Sequence, residues 1–274
     1  MPTENLAAGA CYWREEGVGA RSVFLVHCTL AHSGAWKGLF PYLAPECHMV
    51  AMDMPEHGRS GSWDRSRSWQ RQTTEMAVAL LERGAVPADL IGHSFGATVA
   101  LRIAVERPDL VRSLTLIEPV FMSAAEESGR PEFQAHMNKH RSFYTLVSKG
   151  ENIAAAKMFA ALWGADTPWD ALSAAQQTYQ AERIAMIKAG GDSIVGTGPD
   201  YIPLSKVAEI SVPVLLMDGS KTDPVIPAVQ EELQKALPDC RRVVVEGAGH
   251  MLPISHPEET ARAIRSLFGL PQKG

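Results

Sequence analysis

Residues 88–106 read ADLIGHSFGATVALRIAVE, and this stretch decides the fold. Residues 88–92 form a short apolar run that ends in glycine, which favours a buried strand. Residues 94–106 are largely apolar at helical length and are followed by Arg107-Pro108, a helix stop. The stretch therefore predicts a strand, a sharp turn and a helix in direct succession.

The turn itself contains Gly92-His93-Ser94-Phe95-Gly96, a G-x-S-x-G pattern. Glycine at both ends permits a tight, strained turn that lifts the serine hydroxyl clear of the sheet. The Phe95 N–H then lies at a helix start, where it has no intrahelical partner and is free to donate to an oxyanion. In this context the pattern predicts that Ser94 is a nucleophile, whereas the alternative is a glycine-rich turn around a buried serine.

The rest of the chain alternates between apolar runs and amphipathic segments. Runs that predict strands lie at residues 22–27, 48–53, 113–118, 212–218 and 242–246. Patterns that predict helices lie at residues 35–43, 68–83, 227–237 and 257–268. Repeated strand–helix–strand units imply parallel pairing with right-handed crossovers, hence an α/β fold with a doubly wound, mostly parallel sheet.

One region interrupts this alternation, because residues 121–205 show helical patterns only, at 132–148, 153–163 and 171–188. We interpret residues 1–120 and 206–274 as the core and residues 121–205 as a helical lid over the carboxyl edge of the sheet, where α/β folds bind ligands. Most aromatic and methionine side chains there should pack, while a few should line an apolar pocket. The set comprises Phe121, Met122, Phe133, Met137, Phe143, Tyr144, Met158, Phe159, Trp163, Trp169, Tyr179 and Met186.

Composition excludes several classes of protein. The 274 residues are 46% hydrophobic and 21% charged, with a formal net charge of -5 and no basic cluster, which argues against a nucleic-acid partner. No apolar run approaches the roughly 18–20 residues that cross a bilayer, and the N-terminus lacks the pattern of a secretory signal. The four scattered cysteines lack metal-ligand spacing, which predicts no metal site and free thiols in a reducing cytoplasm.

A serine nucleophile needs a base, and the base needs a carboxylate. His250 lies in a glycine-rich loop between the last predicted strand and the last predicted helix, at the same sheet edge as Ser94. Asp223 is our preferred acid because it follows the strand that ends near residue 218. Two competitors end strands at the same edge, namely Glu118 and Asp218.

Together these segments resemble the α/β-hydrolase superfamily, in particular its lid-bearing serine hydrolases. The resemblance rests on His27 after an early strand, on DMPEHGRS at residues 53–60, on the turn around Ser94, on the segment from Asp223 to Pro227, and on Gly249-His250. The order Ser, Asp, His is the one that the family uses. The resemblance covers nearly the whole chain and implies a Ser94–His250–Asp223 triad.

The resemblance also carries departures in the loop after His27. The family usually has glycine at the next position, where this chain has Cys28, and glycine would allow a backbone conformation that cysteine adopts with difficulty. By resemblance, Thr29 supplies the second oxyanion N–H, with Leu30 as the fallback. Cys28 itself is disfavoured as a nucleophile, because no helix start and no evident base lie beside it.

Two further departures concern the segment at residues 53–60 and the acid. Glu56 stands where the family generally has glycine, in a segment whose usual role is to shape the turn beside the site. Asp223 stands four residues after Gly219 rather than the commoner three. Because some lid-bearing relatives take their acid from the strand that ends at Glu118, this spacing keeps Glu118 as the alternative.

The predicted reaction is hydrolysis of a carboxylic ester or lactone of a small, largely apolar substrate through an acyl-enzyme. Hydrolysis of a carbon–carbon bond in a diketone-like substrate is the alternative, and a lyase that uses the triad for proton transfer stays open. In a different class, the fold can serve as a catalytically inactive small-molecule-binding module. The resemblance implies neither a metal nor an organic cofactor, and the family includes both monomers and dimers, so a homodimer stays open.

Overall fold

An eight-stranded sheet runs through the computed structural model, which describes residues 3–164, 168–196, 198 and 200–272. The strand order is β1-β2-β4-β3-β5-β6-β7-β8, with antiparallel pairing at β1–β2 and β2–β4 and parallel pairing from β4 to β8. The strands are β1 (Thr3–Leu6), β2 (Gly9–Glu16), β3 (Arg21–Val26), β4 (Cys47–Met52), β5 (Ala88–His93), β6 (Val111–Ile117), β7 (Val214–Gly219) and β8 (Cys240–Val245).

Helices connect the parallel strands and cover both faces of the sheet. They are α1 (Phe40–Leu43), α2 (Trp69–Leu81), α3 (Phe95–Glu106), α4 (Met122–Glu127), α5 (Pro131–Ser148), α6 (Asn152–Trp163), α7 (Ala174–Arg183), α8 (Ala185–Ile194), α9 (Leu204–Val207), α10 (Val225–Ala236), α11 (Leu252–Ser255) and α12 (Pro257–Leu267). Short 3-10 turns lie at Ser33–Trp36, Pro108–Leu110 and Trp169–Ala171. Among the described residues, no helix combines the length and the hydropathy that crossing a bilayer requires.

The parallel core matches the prediction, since the six predicted strands coincide with β3 to β8 within two residues at every boundary. Sequence analysis missed β1 and β2, which add an antiparallel edge through pairs such as Trp13 with Met52. It also predicted one helix at 35–43 and one at 171–188. The structure has a 3-10 turn followed by α1 in the first region, and a 3-10 turn, α7 and the start of α8 in the second.

Two apolar clusters lie on opposite faces of the sheet, because successive side chains of a strand point to opposite sides. Phe24 and Leu90 belong to the larger cluster, which includes α2, α3 and α10. Leu25 and Ile91 belong to the cluster beneath α1 and α12. Burial on both faces explains why the parallel strands have continuous apolar sequences.

A helical insertion, defined here as α4 to α9, lies between β6 and β7 in the chain. It has a small apolar cluster of its own, in which Phe143, Trp169 and Ile184 are buried. The insertion begins just beyond the carboxyl end of β6. Its helices therefore lie beside the sheet edge at which β5, β6 and β8 end.

Candidate active site

The turn between β5 and α3 has the strained geometry that its glycines predict. Ser94 has φ 55° and ψ -117°, a conformation that non-glycine residues seldom adopt. A Cβ on Gly96 would lie 2.3 Å from the carbonyl oxygen of Val26, and one on Gly92 would lie 2.4 Å from the carbonyl oxygen of Gly96. Any side chain at either glycine would displace backbone, so the strand–turn–helix fixes where the Ser94 hydroxyl lies.

Three side chains form a continuous hydrogen-bonded series at this edge. The Ser94 hydroxyl lies 2.9 Å from His250 Nε2, and His250 Nδ1 lies 2.9 Å from Glu118 Oε2. A carboxylate oxygen only accepts hydrogen bonds, so Nδ1 carries the proton that it donates to Glu118. In the neutral form of this ring, Nε2 accepts from the serine hydroxyl, which is the arrangement that a general base requires.

The structure corrects the preference for Asp223 as the partner of His250, because Glu118 occupies that place. Glu118 directly follows β6, which lies beside β5, and its longer side chain extends toward the loop after β8. Its Oε1 accepts from the Gly219 N–H at 2.7 Å, and its Oε2 also accepts from the Thr222 hydroxyl at 2.6 Å. The carboxylate is fully buried yet has a donor on each oxygen.

Asp223 lies instead at the start of α10, facing the helical insertion. Its carboxylate accepts from the Val225 N–H at 3.1 Å and from Lys139 Nζ at 2.8 Å. It also lies 3.6 Å from Nδ1 of His136. Asp223 thus caps a loop and joins the insertion to the core.

The third candidate acid, Asp218, is also separated from His250. Both of its oxygens accept from the Arg242 guanidinium, at 2.8 and 2.7 Å. Because this bidentate ion pair between β7 and β8 uses both carboxylate oxygens, Asp218 stabilises the sheet and is not the partner of His250.

Two backbone N–H groups remain as candidates for an oxyanion hole. Phe95 and Thr29, the two donors predicted from the sequence, both line the cavity that contains Ser94 and His250. Phe95 is the first residue of α3, so its N–H has no acceptor four residues earlier within the helix. The fallback donor, Leu30, is already engaged, because its N–H donates to His57 Nε2 at 3.0 Å.

The loop after His27 accommodates cysteine without strain at that residue. The backbone of Cys28 does not have a positive φ, whereas Leu30, two residues further along the chain, has φ 67°. Burial raises the pKa of the Cys28 thiol to about 12, so it stays protonated at neutral pH. Glu56 has φ 66°, a backbone conformation that glycine adopts more readily than other residues.

Two buried histidines hold this loop in place. His27 Nδ1 donates to the Cys28 carbonyl at 2.7 Å, while its Nε2 accepts from the Met54 N–H at 3.0 Å. His57 Nδ1 donates to the Pro55 carbonyl at 2.9 Å. Burial lowers the pKa of His27 to about 4 and that of His57 to about 3. Both rings are therefore neutral at pH 7 and act as fixed hydrogen-bonding spacers.

Asp53 supports the same loop from the other side. Its carboxylate accepts from the Ser33 N–H at 2.6 Å and from the Arg59 N–H at 2.9 Å. A Cβ on Gly58, which has φ 56°, would overlap this carboxylate. The segment at residues 53–60 is thus structural, in agreement with the role expected from the sequence.

The cavity above Ser94 measures about 80 Å³ and lies between the sheet edge and the helical insertion. The insertion contributes its lining from α4, α5, α6 and α8. These residues are Met122, His136, His140, Tyr144, Phe159, Trp163, Ile187 and Ile194. Of the aromatic and methionine residues that we singled out in this region, Met122, Tyr144, Phe159 and Trp163 line the cavity, while the other eight do not.

A second cavity of about 250 Å³ adjoins the first and shares five lining residues with it. Trp163 and Phe159 line both spaces. The indole of Trp163 packs edge-on against His250, with ring centroids 4.5 Å apart. Its bulk therefore divides the space near the nucleophile from the outer cavity.

Sequence analysis missed the histidines of α5, His136 and His140. They are four residues apart, which places both on one face of the helix, and their rings stack with centroids 3.9 Å apart. This spacing was the available signal, but nothing in the sequence indicated that the face turns toward Ser94.

Comparison with known proteins identifies the class of this chain. The model of the Alpha/beta hydrolase family matches residues 23–263, and the chain belongs to that family. It is 27% identical over 263 residues to the 2-(acetamidomethylene)succinate hydrolase of Mesorhizobium japonicum, covering 93% of this chain and 90% of that protein.

Two further likenesses agree with this membership. The chain is 27% identical over 265 residues to the pimeloyl-[acyl-carrier protein] methyl ester esterase of Yersinia enterocolitica, covering 92% of this chain and 95% of that protein. An alpha/beta hydrolase structure from Sphaerobacter thermophilus superposes with a TM-score of 0.74 at 22% identity, covering 97% of this chain and 100% of that one. The last likeness concerns the fold alone.

Proposed function

We propose that the protein is a serine hydrolase that cleaves carboxylic esters or lactones of small substrates through an acyl-enzyme. The observation that carries this proposal is the series Ser94–His250–Glu118, with both links at 2.9 Å. A chain of nucleophile, base and carboxylate in this order activates a serine hydroxyl. A binding module has no need of such a series.

In the proposed reaction, the Ser94 oxygen attacks the substrate carbonyl while His250 Nε2 takes the hydroxyl proton. Glu118 stabilises the resulting imidazolium, and His250 then returns the proton to the leaving alkoxide. Water, deprotonated by the same histidine, attacks the acyl-enzyme and releases the acid. Each step uses the tautomer that Glu118 fixes.

The N–H groups of Phe95 and Thr29 hold the negative charge that develops on the carbonyl oxygen. Loss of one such donor costs roughly 10²–10³-fold in kcat in enzymes of this kind. Thr29 fits this role because the next N–H, that of Leu30, donates to His57. The neutral His57 thus protects the geometry of the oxyanion loop.

The helical insertion serves as a lid in this proposal. It supplies apolar walls from Met122, Phe159 and Trp163 above the nucleophile. A cavity of about 80 Å³ is far smaller than the roughly 300–1,000 Å³ of pockets for drug-sized ligands, which favours short acyl groups. The adjoining cavity provides space for the leaving group.

The names of the relatives support hydrolysis of carboxylic acid derivatives. One relative is named as a methyl ester esterase and another as the hydrolase of an acetamidomethylene succinate. We place the enzyme in the cytoplasm, because Cys11, Cys28, Cys47 and Cys240 are all unpaired.

Turnover of short-chain aryl esters by wild-type protein and by Ser94→Ala tests the proposal. We expect the substitution to lower kcat by at least about 10⁴-fold, because the remaining groups cannot form an acyl-enzyme. Undiminished turnover by the variant would exclude Ser94 as the nucleophile. Absence of turnover in the wild type, across esters and lactones alike, would favour a binding module.

A further inference from the structure

One polar side chain in the cavity is not used by the proposed mechanism. His136, on α5, is 6% exposed and lines the cavity together with Ser94 and His250. Its Nδ1 is fully buried without a hydrogen bond, 3.6 Å from Asp223 Oδ1. Nε2 likewise has no hydrogen-bond partner among the described residues. Burying an imidazole whose nitrogens make no hydrogen bonds costs folding free energy, unless a bound ligand or a nearby charge interacts with those nitrogens.

In the neighbouring His140, on the same helix, both ring nitrogens have hydrogen-bond partners. Its Nδ1 donates to the His136 carbonyl at 2.9 Å, and its Nε2 accepts from the Trp163 indole N–H at 2.8 Å. Burial lowers the pKa of His140 to about 4, so this ring is neutral at pH 7. His140 therefore provides packing and no charge.

Asp223 supplies the charge that His136 faces. Burial alone would raise the pKa of the Asp223 carboxyl, but hydrogen bonds from Lys139 and the Val225 N–H, together with the nearby His136 ring, hold it well below its usual range. The carboxylate beside Nδ1 is the acceptor nearest to that nitrogen, 3.6 Å away. A carboxylate that binds at Nε2 from the cavity would place the ring between two acceptors, so that the bound ring needs an N–H on each nitrogen.

The ring also lies within reach of a molecule bound at Ser94. The Trp163 indole contacts both histidines, with ring centroids 5.4 Å from His136 and 4.5 Å from His250. A small substrate under the lid can therefore meet the nucleophile at one end and His136 at the other. The charges of Lys139 and Asp223 offset each other on this side, since their side chains lie 2.8 Å apart.

We propose that His136, backed by Asp223, is an anion-binding subsite that selects esters or lactones carrying a carboxylate. This inference rests on the proposed function and specifies its substrate class. The substrate carboxylate accepts a hydrogen bond from the Nε2–H of His136, away from the buried negative charge of Glu118. Half-esters of short dicarboxylic acids carry both groups that this site would take, an ester for Ser94 and a carboxylate for His136.

The test compares monomethyl glutarate, which is anionic, with methyl glutaramate, its neutral isostere. The readout is the ratio of the two kcat/KM values. We expect the wild type to prefer the anionic ester, and His136→Gln to lower the ratio by roughly ten- to hundredfold, as loss of a charged hydrogen bond implies. His136→Lys should restore part of the ratio, because it returns a cation to the cavity.

His140→Gln is the matched control, since it removes the adjacent ring without removing a charge, and its ratio should stay near that of the wild type. A His136→Gln ratio equal to that of the wild type, with Ser94-dependent turnover intact, would overturn the subsite and leave the proposed function standing.

A binding measurement tests the anion-binding subsite independently of the proposed hydrolase activity. Calorimetry on Ser94→Ala protein should detect monomethyl glutarate binding more tightly than methyl glutaramate, and His136→Gln in that background should abolish the difference. Equal binding of the two ligands to the Ser94→Ala protein would contradict the subsite even if the wild type hydrolyses neither. The comparison of the two ligands on Ser94→Ala protein still tests the subsite if the His136→Gln protein is unstable.

Discussion

Replacing Glu118 by glutamine turns a buried carboxylate into an amide of the same shape. In the wild type, Oε1 accepts from the Gly219 N–H, while Oε2 accepts from the Thr222 hydroxyl and from His250 Nδ1. The glutamine side chain has a single oxygen, and we expect this oxygen to accept the hydrogen bond from the Gly219 N–H, whose position is fixed by the backbone. The amide NH₂ then faces His250 and donates to Nδ1, which moves the imidazole proton to Nε2.

This change of tautomer removes the base without removing any ring. A protonated Nε2 donates toward Ser94 and cannot accept its proton, so the serine stays a weak nucleophile. The imidazolium would also lack a counter-charge. The corresponding change of acid to amide in a serine protease lowers kcat about 10⁴-fold, and we expect a loss on the order of 10³–10⁴-fold here.

The assay is hydrolysis of a neutral short-chain aryl ester, with kcat and KM measured separately. KM should change little, because Glu118 is fully buried behind His250. Asp223→Asn is the matched variant, and its loss on this ester should stay below about tenfold. Thermal unfolding of each variant checks that the fold is retained. A larger loss in Asp223→Asn than in Glu118→Gln would refute the assignment of the acid.

Three further predictions concern stability and selectivity. Burial lowers the pKa of His57 and of His93 to about 3. Below pH about 6.5 these histidines are protonated in the unfolded chain but stay neutral in the native protein. The free energy of unfolding should therefore fall by roughly 1 kcal/mol per histidine at pH 5.5. Urea unfolding between pH 8 and 5 measures this loss, and a flat profile would contradict it. Trp163→Ala should join the two cavities and shift the preference among acyl esters toward longer chains, whereas unchanged chain-length selectivity would show that the indole does not divide them. Gly96→Ala should destabilise the fold by at least about 2 kcal/mol, since its Cβ would lie 2.3 Å from a backbone oxygen, while Gly191→Ala, with nothing within 4 Å, should not. Equal melting temperatures for these two variants would refute the steric argument.

The sequence predicts the parallel core and the turn at Ser94 well, because both depend on local chemistry. An apolar run, two glycines and a helix stop lie within residues 88–106, and each restricts its own neighbourhood. His250 is predictable for a related reason, since the carboxyl ends of parallel strands share one edge of the sheet. The family resemblance adds Thr29, which lines the same cavity as Ser94.

The choice of acid is not local, and there the sequence misleads. Glu118 and Asp223 both lie at the correct edge, but the pairing depends on lateral strand order and on side-chain reach. Thr222, not Asp223, is the residue of this loop that contacts Glu118, while Asp223 contacts the insertion. A hydrogen bond of 2.8 Å from Lys139, on α5, draws the carboxylate there. Tertiary contacts of this kind leave little trace in the pattern of either segment.

The strands β1 and β2 were missed because an edge hairpin is only half buried. In β2, Trp13 is buried while Glu15 and Glu16 are not, so the segment lacks the continuous apolar run of the parallel strands. The pair His136 and His140 was missed for another reason. Helical spacing indicated a shared face, but the orientation of the insertion is set by packing alone.

The account depends most on Ser94 as an activated nucleophile, and covalent labelling with a fluorophosphonate tests this directly. Intact-protein mass spectrometry should show one phosphonyl group per wild-type chain, and peptide mapping should place it on Ser94. Ser94→Ala should not label, and Glu118→Gln should label far more slowly than Asp223→Asn. A wild-type chain that stays unlabelled, or that carries its adduct on another residue, would contradict the account.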